Sequence, residues 1–164
     1  VNSYKLKMEI EMKKSEINLD KYIELLDVTK TAYVLMNPDG VIEEVNTAFL
    51  NILDYKNMKD IIGKKPSEWI ITNDQKKFNE AIKDIECGSL VSDMEIRLLK
   101  KDMTCIWISA TGNLIESKFR NIIWLVKDIT NKKEIEHKSF IERQKKRDAV
   151  KQKIINIREE IKNL

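Results

Sequence analysis

The sequence predicts an α+β fold with long helical flanks, on three observations. Five apolar runs of strand length fall into two groups, at residues 33–45 and 90–129. Between them, residues 46–87 carry apolar side chains at helical spacing, broken by Gly63 and Pro66. From Thr130 to Leu164 the pattern is helical without interruption.

Residues 1–30 hold six acidic and six basic side chains, interleaved, with no Gly or Pro, which favours a helix or helical linker. Leu6, Ile10 and Ile17 share one face, but Lys13, Asp20 and Glu24 stand where that stripe would continue, so the seam is weak. Tyr33 to Met36 is an apolar run, and Val41 to Val45 follows after Asn37-Pro38-Asp39-Gly40. Pro presets φ and Gly accepts positive φ, so the two runs form a hairpin turning at 37–40. Asn46 precedes Ala48, Phe49, Leu50, Ile52 and Leu53, where its side chain can cap the first free amides of a helix. Short helical pieces are expected at Met58–Ile62 and Ser67–Ile70, then a longer helix from Asp74 to Cys87 that buries Phe78, Ala81, Ile82 and Ile85 and ends at Gly88.

Three strands should follow, at 90–99, 104–115 and 121–129, with turns at Lys100-Lys101-Asp102 and Glu116-Ser117-Lys118. The middle strand alternates Thr104, Ile106, Ile108 and Ala110 against Cys105, Trp107, Ser109 and Thr111. The last strand is apolar on both faces, which calls for cover on both sides of the sheet, from the N-terminal helix or a second subunit. The helix after Thr130 would reach about 50 Å at 1.5 Å per residue. Val150, Ile154, Ile157, Ile161 and Leu164 recur along it at alternating intervals of four and three, the seam of a coiled coil and hence of a homodimer.

Composition excludes several functions. Thirty Lys and Arg against 27 Asp and Glu give +3, but residues 131–164 alone carry +5, which leaves the first 130 residues at −2. The core therefore has no basic surface for nucleic acid. Arg143-Gln144-Lys145-Lys146-Arg147 is basic but lacks aromatic residues for base stacking, and Glu142 and Asp148 flank it; it fits the solvated face of a coiled coil. The longest apolar run in the body of the chain, Ile122 to Val126, is five residues where a membrane span needs about 20. Cys87 and Cys105 are too few for a disulfide framework, which points to a reducing, cytoplasmic setting. The chain opens on Val1 and stops within an apolar repeat, so a covalently linked output domain is expected beyond it.

No Gly-rich phosphate loop, HExxH, EF-hand or GxSxG pattern is present, nor a paired nucleophile and base, so no enzyme is expected in these residues. Glu43-Glu44 and Glu159-Glu160 are sequence neighbours whose side chains point apart and read as surface charge. Strand alternation puts Trp124 and Val126 on the same side as Ile108 and Ala110 of the neighbouring strand; if that side faces inward, Trp124 fills much of any cavity there.

The order of elements resembles the PAS (Per-Arnt-Sim) sensor domain over residues 31–130. The motifs that carry the resemblance are Asn37-Pro38-Asp39-Gly40-Val41-Ile42, Asn46-Thr47-Ala48-Phe49, Ile62-Gly63-Lys64 and Asp128-Ile129-Thr130. One departure is Asp102-Met103, where the family often has Asp-Gly. The resemblance implies a five-stranded antiparallel sheet with short helices on one face, flanked by an N-terminal linker helix (1–30) and a C-terminal signalling helix (131–164). It makes Asp128 and Thr130 a point of signal transfer, and Met36, Phe78, Ile108, Trp124 and Val126 the lining of a pocket for a small apolar ligand.

Flavin photosensors of the family carry Gly-x-Asn-Cys-Arg-Phe where this chain reads Gly63-Lys64-Lys65-Pro66-Ser67-Glu68, so flavin–cysteinyl chemistry is argued against. Haem needs an axial ligand, and the one histidine, His137, lies in the exit helix. Free cysteines most often act as small buried hydrophobes, so neither Cys87 nor Cys105 is assigned a role. A histidine-kinase phosphoacceptor would follow its His with Glu, a basic residue, Thr or Asn, and Pro. His137-Lys138-Ser139-Phe140 has no later Pro. The expected function is signal sensing and dimerisation within a larger signal-transduction protein, of the two-component kind. Its rivals are a ligand-free interaction scaffold and the sensor fragment of a histidine kinase.

Overall fold

A computed structural model of the chain describes residues 20–115 and 120–163. It divides at Ile129 into two units, residues 1–129 and 130–164. The Leu6–Ile10–Ile17 stripe, the Glu116-Ser117-Lys118 turn and the last seam residue, Leu164, lie outside the described residues.

The first unit opens with a helix whose described part covers residues 20–28 (α1). Strands β1 (Ala32–Met36) and β2 (Ile42–Val45) form the hairpin expected. At its turn Asn37 Oδ1 accepts the amides of Asp39 and Val41, both at 3.0 Å, and Gly40 takes φ +75°, the left-handed region where a side chain is disfavoured. Helix α2 (Thr47–Leu53) starts at the Asn46 cap and stops at Asp54 in the left-handed conformation. The two short helical pieces are single 3-10 turns, at Met58–Asp60 and Pro66–Glu68. Helix α3 (Thr72–Glu86) buries Phe78, Ala81 and Ile85, with Ile82 partly buried.

Strands β3 (Val91–Leu99), β4 (Cys105–Leu114) and β5 (Ile122–Asp128) complete an antiparallel sheet in the order β2-β1-β5-β4-β3. The turn between β3 and β4 closes with Met103 at φ +68°. Met103, the departure named above, thus holds a left-handed conformation that glycine adopts at less cost.

The sheet has two apolar faces. On the inner one, Val34, Met36, Ile96, Leu98, Ile106, Ile108, Ala110, Trp124 and Val126 pack with α2, α3 and the 3-10 turns in one continuous core. The free edge of β3 is closed by Ile70, which bridges to Leu98, and by Asp74, whose carboxylate accepts the Arg97 amide at 2.8 Å and its guanidinium at 2.9 Å. On the outer face, Tyr33, Leu35 and Ile123 are buried with Leu26 of α1, and Ile23 and Leu125 pack beside them. The cover that β5 calls for comes from α1 within the same chain.

The second unit is one helix, α4 (Thr130–Lys162), and none of its described residues is buried. No helix among the described residues is long and apolar enough to cross a membrane.

Candidate functional site

The five side chains named from alternation and the family pattern come from four elements and converge. Met36 of β1, Phe78 of α3, Ile108 of β4, and Trp124 and Val126 of β5 line one cavity of about 40 Å³. Register explains the convergence, because Ala110 pairs with Val126 and Val34 with Trp124, so their side chains leave the sheet on the same side. The lining is apolar throughout and includes Pro66 of the second 3-10 turn and Trp69 and Ile70 between that turn and α3, which the motifs did not indicate.

Trp124 dominates this space. Its ring lies 5.3 Å from that of Phe78, tilted by 36°. Its six-membered edge lies over Gly112, the residue it pairs with on β4. A Cβ at Gly112 would sit 2.5 Å from Trp124 Cζ3 and 2.7 Å from Ile85 Cδ1. The glycine is therefore what lets the indole lie flat between β4 and α3. Its position inside a strand run was the sequence signal that could have marked it, since such glycines often admit a close neighbour.

Beside the outer face stands a polar hub. Asn46 is 5% exposed, yet all its bonding groups are engaged. Its Oδ1 accepts the amides of Phe49 and Tyr33, both at 3.1 Å, while Nδ2 donates to Asp27 Oδ1 at 3.1 Å and to the Thr31 carbonyl at 2.8 Å. The sequence pointed to the cap, but the same side chain also joins α1, β1 and α2. Tyr33 donates to Glu44 at 2.6 Å, and burial together with that carboxylate holds its phenol well above the usual tyrosine range. Glu43 accepts from Asn121 Nδ2 at 3.0 Å. The Glu43-Glu44 pair does point to opposite sides, but each carboxylate has a structural partner and neither is mere surface charge.

Both free cysteines are exposed, so neither is the small buried hydrophobe expected of such residues. Neither lines the core cavity, and His137 lies on α4. Among the described residues no group of three His, Cys, Asp or Glu side chains could hold a metal ion.

Asp128 closes β5, Ile129 follows, and Thr130 opens α4. On α4, Val150, Ile154, Ile157 and Ile161 of the predicted seam are all exposed.

A family model for the PAS domain matches residues 30–131. The chain belongs to the PAS domain family. No curated protein sequence matches it. Among solved structures, it is similar to the PAS domain of a Colwellia psychrerythraea protein, with a TM-score of 0.60 and 21% identity over 69% of this chain and 98% of that one. It is also similar to a sensory box histidine kinase/response regulator of Burkholderia thailandensis, with a TM-score of 0.61 and 17% identity over 77% and 98%. A third is the Drosophila melanogaster Cycle PAS-B domain with bound ethylene glycol, at 0.54 and 15% over 59% and 98%. At these identities the likeness is one of fold.

Proposed function

We propose that this PAS domain is the sensing and dimerisation portion of a larger signal-transduction protein, and that it works without catalysis. A change in the packing of the inner face would pass through Asp128, Ile129 and Thr130 to a coiled coil formed by α4 from two copies. The observation that carries this is the shortness of the junction. Trp124 and Val126 line the cavity, and the strand that holds them ends one residue before the helix begins. That one residue, Ile129, is buried and donates its amide to the Trp107 carbonyl at 2.9 Å. A strand so held has little slack to absorb a shift, and two packings differing by a few kcal/mol are enough for a switch.

Other features support the reading. The exposed Val150, Ile154, Ile157 and Ile161 give α4 an apolar seam that a second copy would cover. The similarity to a sensory histidine kinase suits a signalling role, and the Cycle domain with bound ethylene glycol suits a domain that binds small molecules. The lining has no cysteine or histidine, so the reading includes neither flavin–cysteinyl photochemistry nor a histidine-ligated haem in the core. Unpaired, exposed thiols suit a cytoplasmic setting.

Native mass spectrometry of the 164-residue chain and of its Ile154→Lys/Ile161→Lys variant tests this. A dimer that becomes a monomer in the variant is the expected result. A wild-type monomer, or a variant that stays dimeric, would sink the coiled-coil route. The ligand-free scaffold is favoured by one observation, the small cavity, because pockets for drug-sized ligands run from about 300 Å³ upward.

A further inference from the structure

The apolar seam of α4 fixes a seven-residue register, with Ile154 and Ile161 at its first position, a, and Val150, Ile157 and Leu164 at its fourth, d. Carried toward the N-terminus, the same register puts Arg147 at a, Arg143 at d and Phe140 at the preceding a. Two arginines therefore stand on the seam itself. Of the basic stretch at 143–147, only Lys145 falls on an outer position, so the stretch as a whole is not a solvated face.

The positions that flank the seam, e and g, are Gln144, Lys146, Lys151, Lys153, Arg158 and Glu160, four cations against one anion. The other acids of this stretch, Glu142, Asp148 and Glu159, fall on outer positions, away from the contact. Arg143, Lys146, Arg147, Lys151, Lys153 and Arg158 are all exposed, and among the described residues none of them forms an ion pair.

This charge opposes a second copy. In a parallel pair, g of one helix faces e of the next repeat on the other, so Lys146 would meet Lys151 and Lys153 would meet Arg158, each contact occurring twice. The seam arginines would meet their own copies. Reversing one helix gives little relief, because Glu160 is then the one acidic flank available to four cations. Like charges so placed weaken an association and favour a partner of opposite sign. What complements this face is a helix with an apolar seam, acidic flanks, and acids on the seam opposite Arg143 and Arg147.

We propose that α4 docks an acidic amphipathic helix of another protein along this seam, in competition with a second copy of the chain. The proposal rests on the α4 seam argued above and names a partner that would open the homodimer.

The probe is a fluorescent peptide of about 25 residues, long enough to be helical when paired, with Ile at a and d and Glu at e and g. Two further Glu replace the seam Ile opposite Arg143 and Arg147 in parallel register. Added to the full chain, it should raise its anisotropy and appear in native mass spectra as one peptide per chain. Lys in place of the flanking Glu should weaken binding by about tenfold or more, and moving the two seam Glu by one repeat should weaken it by about tenfold. The variant Lys146→Glu/Lys151→Glu/Lys153→Glu/Arg158→Glu, with its helicity checked by circular dichroism, should prefer the Lys-flanked peptide. Equal binding of the Glu- and Lys-flanked peptides overturns the proposal. So does indifference to the seam shift, which would reduce the effect to unspecific attraction by a basic surface. A chain that is monomeric alone yet takes the acidic peptide upholds the proposal and removes the homodimer, whereas a dimer that ignores the peptide does the reverse.

Discussion

The two faces of the sheet are both apolar along β1 and β5, yet they are closed by different means. The inner face is sealed by bulk, with two helices, two 3-10 turns and the Trp124–Phe78 pair leaving about 40 Å³ unfilled. The outer face has a smaller seal. Leu26 and Ile23 of α1 lie on Tyr33, Leu35 and Ile123, and the hydrogen bonds of Asn46 hold the end of that helix to β1 and α2. Shape-filling cores resist partial loss because every neighbour depends on the others. A short helix docked by a few side chains and one polar hub can open locally while the rest stays folded. The entering helix is thus the natural weak point of this PAS domain.

Four substitutions break or sharpen that contrast, here in order of expected effect. Asn46→Ala removes the α2 cap and the ties to β1 and α1 together, and leaves the buried Tyr33 amide without its acceptor. It should lower the unfolding free energy by about 3 kcal/mol, read by urea melts. Gly112→Ala puts a Cβ into Trp124 and Ile85 and should lower it by about 2 kcal/mol, with a changed tryptophan emission as the indole is pushed aside. An unchanged emission would mean that the inner face is looser than its packing implies.

Leu26→Ala is the sharpest test of the comparison. It should speed amide exchange over residues 20–28 by about tenfold or more while β4 and β5 keep their protection. Equal loss of protection in both regions would show that the two faces unfold as one unit.

The smallest effect concerns Asp74, the polar tie of the inner layer. Hydrogen bonds from Arg97 hold its carboxyl below the ordinary 3.8, against the opposing effect of burial. A folded-state value below the unfolded one means that the ionised form favours folding. Its contribution is complete above the unfolded value and disappears as pH falls through the folded one. Asp74→Asn should therefore be less stable than wild type at pH 7, with the gap narrowing as pH drops below about 4. A gap that stays constant with pH would assign the loss to packing rather than to the ion pair.

Much of this architecture was legible in local patterns. The hairpin turn at Asn37–Gly40 needs a side-chain acceptor and a residue tolerant of positive φ within four positions, and both stand in the sequence. The buried stripe of α3 and the two-faced β5 follow from periodicities of 3.6 and 2. So did the convergence of Met36, Phe78, Ile108, Trp124 and Val126, once the family pattern fixed which strands are neighbours. What stayed hidden was each contact whose partner lies far along the chain. Nothing near Gly112 announces an indole above it, and nothing in Glu43-Glu44 announces Asn121 or the Tyr33 hydroxyl.

The sequence by itself determined the order and type of the elements, the Asn46 cap, the alternation that sorts side chains between two faces, and the seam period of α4. All of these depend on residues a few positions apart, where backbone geometry alone decides which side chains meet. Only the tertiary structure decided that α1 is the cover of the outer face, and that the Trp124 indole N–H is buried with no partner among the described residues. Those outcomes depend on how distant surfaces compete for the same space, and no local spacing encodes the result of that competition.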